Sequence, residues 1–236
     1  PKMERSTVDT IAADQLETLI RTQPTDAPLL LVHASAHTHV APPFLPNAIA
    51  LTTHQIDIYQ DDPTTSHPLR VHGNYNLRPP HELASLLASI GASRTTRCVI
   101  YENPSELERK GQSCDPIVAA RVAWALAYCG VEWVSLLDGG LGAWVRAKRP
   151  VVDAPSPPRA RALDIPRFPA NPHFLATLRD VQAASEGDPR GKSILDVRSI
   201  EEYSGEKHDY PYPLPNGRIP GAALFRWGSS TYRGGL

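Results

Sequence analysis

The sequence predicts an α/β fold in which a central parallel sheet is flanked by helices. Short apolar runs alternate with segments of helical periodicity, and this alternation is typical of βαβ units, whose strands are buried on both faces. The apolar runs are residues 28–33, 48–51, 98–101 and 134–137. A second observation is an internal echo, because LPNA at 45–48 and IPGA at 219–222 each follow an apolar strand and a polar loop. Two copies of one domain, the second cut short, are the economical interpretation.

The spacing of apolar residues predicts the helices of the first copy, and glycine and proline residues predict where they begin and end. Leu16, Leu19 and Ile20 recur at helical spacing, and Gly91 is expected to end the helix that begins at Pro79. The predicted helices are residues 10–21, 79–90, 115–128 and 141–147. Residues 58–76, rich in Asp, Pro, Thr and His, predict a long surface excursion.

A Pro-rich stretch separates the two copies. Residues 153–171 hold several prolines among Arg and Ala, a composition that forms neither a helix nor a central strand and predicts a stiff linker. The predicted organisation is a first domain at 1–152, a linker at 153–172 and the N-terminal part of a second domain at 173–236. The second domain is expected to open with a helix at 173–184 and a strand at 193–197.

Composition excludes several classes of function. The 236 residues carry 24 Lys+Arg against 25 Asp+Glu, a balance that argues against binding to nucleic acid or to a membrane surface. No apolar run reaches the roughly 18–20 residues that span a bilayer. We therefore expect a soluble protein, cytoplasmic or periplasmic. The three cysteines, Cys98, Cys114 and Cys129, contain no CxxC pair, which predicts reduced thiols rather than a disulfide framework or a zinc site.

Four sequence motifs, two in each copy, point to a more specific class of protein. They are AARVAW at 119–124, LLDGGLGAW at 136–144, LDVRSIEEYSG at 195–205 and GRIPGA at 217–222. These stretches and their order resemble the rhodanese superfamily, specifically the tandem-domain thiosulfate and 3-mercaptopyruvate sulfurtransferases. The resemblance implies two rhodanese-like three-layer domains in tandem, with the chain ending inside the second.

The resemblance also implies a reaction. A loop cysteine thiolate takes a sulfane sulfur from thiosulfate or mercaptopyruvate, becomes a persulfide, and passes the sulfur to cyanide, a thiol or a carrier protein. The small-molecule donor and this acceptor are the implied partners, and no cofactor, nucleic acid or membrane is implied. In this family the cysteine follows the fourth core strand, where the first domain of this chain has Glu102.

A carboxylate cannot carry sulfur and repels an anionic donor, so the first domain is expected to be non-catalytic. The family nucleophile is expected beyond Leu236. A non-catalytic rhodanese-like module that binds or regulates a partner is the alternative. A third hypothesis is a thiol-dependent hydrolase or redox sensor that uses Cys114, since this thiol precedes a predicted helix whose dipole lowers thiol pKa values.

Candidate substrate-binding residues are Arg198, Arg218 and His33. Arg198 and Asp196 alternate at a strand end, which also predicts an ion pair between them, and Arg218 also fits a surface turn. His33, with His37 and His39, follows the first apolar strand at the carboxyl end of the sheet, where ligands bind in such folds. No metal site is predicted, because no Cys or paired acids accompany these histidines.

Overall fold

A computed structural model describes residues 8–22, 27–36, 40–58, 76–103, 117–160, 169–187, 191–207 and 216–225. The chain divides into two compact units, Pro1–Pro172 and His173–Leu236, and each is described by itself. In the described ranges, no helix combines the length and the apolar character that crossing a membrane requires.

Five parallel strands form the central sheet of the first unit, in the order β1-β7-β6-β2-β3. A separate antiparallel pair is formed by β4 and β5. The strands are β1 (Val8–Ile11), β2 (Leu29–Ser35), β3 (Ile49–Thr52), β4 (Asp57–Ile58), β5 (Asn76–Leu77), β6 (Arg97–Glu102) and β7 (Trp133–Leu137). The predicted α/β class with a central parallel sheet is confirmed. The register places His33 beside Tyr101 and Ala34 beside Glu102.

Helices cover this sheet on both faces. They are α1 (Ala13–Thr22), α2 (Thr53–Ile56), α3 (Pro80–Ile90), α4 (Ile117–Cys129) and α5 (Gly140–Arg146). On one face, Leu16 of α1 and Trp144 of α5 pack with Leu31 and Val99 in a buried apolar cluster. Side chains alternate along a strand, so Cys98 and Ile100, which are also buried, face the opposite layer, where α4 lies against β6 and β7.

Some helix ends lie where glycine and proline predict them, and others do not. Gly91 ends α3 with a φ of 74°, a left-handed conformation that glycine adopts at low cost. The predicted start of the first helix is wrong, because Thr10 and Ile11 belong to β1 and pair with Leu136 and Leu137 of β7. Sheet pairing therefore overrides the helical spacing there. The short elements α2 and β4 were not predicted, and residues 59–75 of the predicted excursion lie outside the described residues.

The internal echo has the same geometry in both units. In the first unit Asn47 has a φ of 64°, and Ala48 N donates to Leu45 O at 3.1 Å. In the second, Gly221 has a φ of 77°, and Ala222 N donates to Ile219 O at 3.1 Å. Each turn leads into a strand that pairs in parallel with the strand preceding the loop. The Leu/Ile-Pro-Asn/Gly-Ala pattern is therefore one left-handed turn, used twice.

The second unit contains a two-stranded parallel sheet of β8 (Leu195–Asp196) and β9 (Ala223–Leu224), with helices α6 (Leu178–Ser185) and α7 (Ile200–Ser204). The predicted helix start at residue 173 is wrong, since Pro172–Phe174 forms a separate 3-10 turn and α6 begins at Leu178. Thr177 sets this start: its hydroxyl oxygen accepts a hydrogen bond from Asp180 N at 3.3 Å, and Thr177 N donates to the Asp180 carboxylate at 2.9 Å.

Candidate functional site

Glu102 ends β6 at the carboxyl edge of the parallel sheet, the edge at which open α/β folds bind ligands. Its side chain is half-buried, and Oε2 accepts a hydrogen bond from Ala119 N in the first turn of α4 at 3.0 Å. Amides in the first turn of a helix favour a negative charge. The carboxylate therefore stabilises the beginning of α4 from the very position at which the family resemblance expects a cysteine.

A double-glycine turn shapes the same edge of the sheet. Gly139 and Gly140 follow β7 with φ values of 66° and 53°. A Cβ atom on Gly140 would lie 3.0 Å from the carbonyl oxygen of Glu102. Only glycine combines this left-handed backbone with so close an approach. The Gly139-Gly140 turn therefore packs directly on the end of β6 that carries Glu102.

His33 lies inside the first unit rather than on an accessible surface. Its side chain is 2% exposed, and its ring stacks on Tyr101 and meets Phe44 edge-on, with centroid separations of 5.0 Å in both cases. Burial lowers the pKa of His33 to about 4, so the ring is neutral at pH 7. This position does not support the predicted contact with a substrate. His37 and His39 lie outside the described residues.

Arg198 forms the predicted ion pair with Asp196, which is confirmed. Its Nε donates to Asp196 Oδ1 at 2.9 Å, and its Nη2 donates to Asp196 Oδ2 and to Gly217 O, both at 2.7 Å. The hydrogen bond from Arg198 holds the pKa of Asp196 below its usual range. Arg198 thereby connects the end of β8 to the Gly217 turn.

Arg218 is exposed at that turn. Its guanidinium carbon lies 4.5 Å from the centroid of the Tyr203 ring, and Tyr203 Oη donates to Ala222 O at 2.9 Å. A cation held over an aromatic face in this way is stabilised by about 0.5–1 kcal/mol at an exposed site. Its role in substrate binding stays a prediction.

The two described cysteines are buried thiols. Cys98 and Cys129 are each 1% exposed, and burial raises the pKa of each to about 12. A thiol that stays protonated and enclosed is neither a nucleophile nor a metal ligand. Cys114, the candidate nucleophile within the chain, lies outside the described residues. Among the described residues, no group of three His, Cys, Asp or Glu side chains is arranged to hold a metal ion.

We expect thiol titration of the folded protein to modify neither Cys98 nor Cys129 on the timescale on which an exposed thiol reacts. Unfolding in denaturant should make both react. Peptide mass spectrometry after brief alkylation distinguishes these two thiols from Cys114 and from any other cysteine of the protein. Rapid modification of Cys98 or Cys129 in the folded state would contradict the burial of the two thiols.

One buried ion pair had no signal in the sequence. Asp57, 1% exposed, accepts hydrogen bonds from Arg121 of α4, with Nη2 2.5 Å from Oδ1 and Nε 3.1 and 3.2 Å from the two carboxylate oxygens. Burial raises the pKa of Asp57, and the contact with Arg121 opposes this effect. The pair joins the beginning of β4 to the first turns of α4. Asp57 lay next to the polar excursion, and nothing local marked it as buried.

The five-stranded parallel sheet of the first unit, with helices on its faces and a double-glycine turn at its carboxyl edge, places that unit in the open parallel α/β class. The solved crystal structure of YnjE superimposes on 94% of this chain with a TM-score of 0.74 and 24% sequence identity, and the match covers 49% of that chain. At this identity the likeness concerns the fold. No protein-family model matches the chain.

Curated relatives extend the likeness to sequence. Thiosulfate sulfurtransferase YnjE of Escherichia coli is 32% identical over 158 residues, 65% of this chain and 32% of the relative. Thiosulfate sulfurtransferase of Azotobacter vinelandii is 31% identical over 158 residues, 64% of this chain and 49% of the relative. Human 3-mercaptopyruvate sulfurtransferase is 28% identical over 138 residues, which are 58% of this chain and 42% of the relative. The chain is therefore similar to these sulfurtransferases over 58–65% of its length, and it spans about a third to a half of the length of these relatives.

Proposed function

We propose that the protein containing this chain transfers a sulfane sulfur from thiosulfate or 3-mercaptopyruvate to a thiophilic acceptor through a cysteine persulfide. The observation that carries this proposal is the likeness to relatives named thiosulfate and 3-mercaptopyruvate sulfurtransferases. The acceptor classes are cyanide, a thiol or a carrier protein. The reaction needs no cofactor beyond the cysteine itself.

The two half-reactions balance without an external oxidant. In the first, the cysteine thiolate attacks the outer sulfur of thiosulfate. A new S–S bond forms on the cysteine, the S–S bond of thiosulfate breaks, and sulfite leaves with the electron pair. In the second, cyanide or a thiolate attacks the terminal sulfur of the persulfide. The cysteine thiolate is then released for another cycle.

Glu102 supports a non-catalytic role for the first unit. The side chain at the end of β6 has no sulfur, and its negative charge would repel an anionic donor at the same edge of the sheet. Instead, the Glu102 carboxylate accepts a hydrogen bond from Ala119 N and so stabilises the beginning of α4. We therefore place the sulfur-carrying cysteine in the second domain, beyond Leu236.

The two arginines of the second unit take different places in this proposal. Arg198 acts as a positioning residue, because its hydrogen bonds go to Asp196 and to Gly217 O. Arg218 has its guanidinium at the surface of its unit, where it is available to contact an anionic donor. A cation at this turn favours donors with a negative charge, such as thiosulfate and mercaptopyruvate.

The full-length protein that contains residues 1–236 is expected to form thiocyanate from cyanide with thiosulfate or mercaptopyruvate as the donor. Mass spectrometry of donor-treated protein should locate one added sulfur on a cysteine outside residues 1–236. The matched Cys114→Ser variant should turn over within about twofold of the parent, because a plain loop thiol takes no part in the transfer.

Two outcomes would contradict the proposal in distinguishable ways. Absence of turnover with both donors would refute sulfur transfer and favour a module that binds or regulates a partner. A persulfide on Cys114, with activity lost in Cys114→Ser, would instead place the chemistry inside this chain.

A further inference from the structure

His33, Phe44 and Tyr101 form a buried aromatic cluster between β2, β6 and the loop that precedes β3. Their side chains are 2%, 1% and 1% exposed. Tyr101 Oη accepts a hydrogen bond from Leu45 N at 3.0 Å, and the Nδ1 atom of His33 is buried with no hydrogen-bond partner among the described residues. Of the two rings that contact His33, Phe44 belongs to this loop and Tyr101 holds the loop through its hydrogen bond with Leu45.

The same loop is hydrogen-bonded to the segment that follows α5 in the first unit. Phe44 N donates to Val152 O at 2.8 Å, and Val152 N donates back to Phe44 O at 2.9 Å. Ser156 N donates to Ala48 O at 2.7 Å. We call these three hydrogen bonds the clasp. Residues 153–160 contain no helix or strand, so the clasp provides backbone anchorage that regular secondary structure does not.

The strands and loop around His33 offer no charge that would stabilise its protonated form. The strand partners of His33 are Ala50 of β3 and Tyr101 of β6, and burial raises the pKa of Tyr101, so the phenol is neutral. The carboxylate of Glu102, the next residue of β6, turns to the opposite layer and binds Ala119 N. The loop contributes Phe44 and Leu45, which carry no charge.

The helices on the His33 face carry their charges at the surface of the unit. Asp14 and Glu17 of α1 form ion pairs with Arg149, and both carboxylates are exposed. Arg21 of α1 and Arg146 of α5 are exposed cations, which would oppose a further positive charge. The lowered pKa of His33 has burial as its cause, with no contribution from a charged neighbour.

We propose that His33 is an acid-sensitive latch whose protonation opens the clasp and frees residues 152–156 from the loop at residues 44–48. An imidazolium between these two rings is disfavoured, because the attraction of a desolvated cation to an aromatic face, about 2 kcal/mol, does not offset the cost of removing a charge from water without a counter-ion or a hydrogen-bond acceptor. Moving the ring to water breaks its contacts with Phe44 and Tyr101. Phe44 carries two of the three clasp hydrogen bonds, and Tyr101 holds the adjacent Leu45.

The sign of the pH dependence follows from linkage. In the closed state His33 has a pKa of about 4, whereas in the open state it regains the ordinary value of 6.5. The open state therefore binds the proton more tightly, and opening is favoured as the pH falls from about 6.5 towards 4. Between pH 8 and pH 5 the opening equilibrium should increase about 30-fold.

Amide hydrogen exchange on the whole chain measures this opening directly. After correction for the intrinsic exchange rate, the amides of Phe44, Val152 and Ser156 should lose protection by about 30-fold between pH 8 and pH 5. Ile100 and Val134, in the central strands, should keep theirs. The His33→Phe variant, which retains an aromatic ring, should show no such pH dependence, and His33→Leu provides a second test if His33→Phe does not fold.

Two results would overturn the latch. Equal pH profiles at the clasp amides in the parent and in the folded variant would show that His33 does not control the clasp. A parallel loss of protection at Ile100 and Val134 would show that protonation unfolds the whole unit rather than opening the clasp.

Discussion

Replacing Trp144 with alanine is expected to lower the free energy of unfolding of the first unit by about 3–5 kcal/mol. Trp144 is 3% exposed and packs in the apolar cluster with Leu16 and Leu141. Its Nε1 donates to Pro150 O at 2.8 Å. The substitution therefore removes a large apolar side chain from a close-packed core and leaves a carbonyl without its donor.

Trp133→Ala is the matched control for this experiment. The Trp133 side chain is 40% exposed, and the guanidinium carbon of Arg97 lies 5.1 Å from its ring centroid. Its loss should cost about 1 kcal/mol or less, as is usual for a surface substitution. Urea unfolding followed by far-ultraviolet circular dichroism measures both variants. Equal losses in the two would contradict the assignment of Trp144 to the core.

Replacing Arg121 with alanine is expected to cost the first unit about 3–5 kcal/mol of stability at pH 7. The substitution leaves the Asp57 carboxylate, 1% exposed, without the guanidinium that binds both of its oxygens. Arg94→Ala is the control, because Arg94 and Glu132 form an ion pair that is 54% and 37% exposed. Exposed pairs contribute about 0–1 kcal/mol.

The pH dependence of this loss identifies its cause. Without Arg121, the pKa of Asp57 in the folded protein should rise further, because the largest effect that opposes burial is removed and only the weaker charges of Arg78 and His54 remain. The difference in stability between Arg121→Ala and the parent should therefore shrink as the pH falls and Asp57 becomes protonated. The double variant Arg121→Ala/Asp57→Asn should recover part of the loss at pH 7. The guanidinium carbon of Arg121 also lies 4.7 Å from the centroid of the Trp124 ring. A loss that is the same at all pH values would indicate the loss of this contact rather than an uncompensated charge.

Local patterns were sufficient to predict much of the fold. The end of α3 at Gly91 and the repeated left-handed turns at Asn47 and Gly221 depend on residues within a few positions of one another. The ion pair between Asp196 and Arg198 is of the same kind, since the two residues lie at one strand end. The beginning of the first helix could not be predicted in this way. Thr10 and Ile11, which precede α1, belong to β1, and the partner strand of β1 is β7, more than 120 residues further along the chain.

The hydrogen bonds at the candidate site that could not be predicted join residues that are far apart in the sequence. Glu102 and Ala119 are 17 positions apart, and Asp57 and Arg121 are 64 positions apart. The family resemblance drew attention to Glu102 as the residue at the end of the fourth core strand, but its hydrogen bond to α4 could not be predicted. His33 was correctly placed near the end of a strand, whereas its enclosure depends on a loop that brings Phe44 over it.

The sequence by itself determined the α/β class, the repeated turn and the likeness to the rhodanese superfamily, because these depend on residue spacing and on motifs that are contiguous in the chain. Only the tertiary structure decided which polar side chains are enclosed. The side chain of His33 is buried, the buried carboxylate of Asp57 binds Arg121, and the side chain of Arg218 is exposed to solvent. Burial depends on which distant segments cover a residue, and it is burial that sets the pKa values and the energetic cost of each charge.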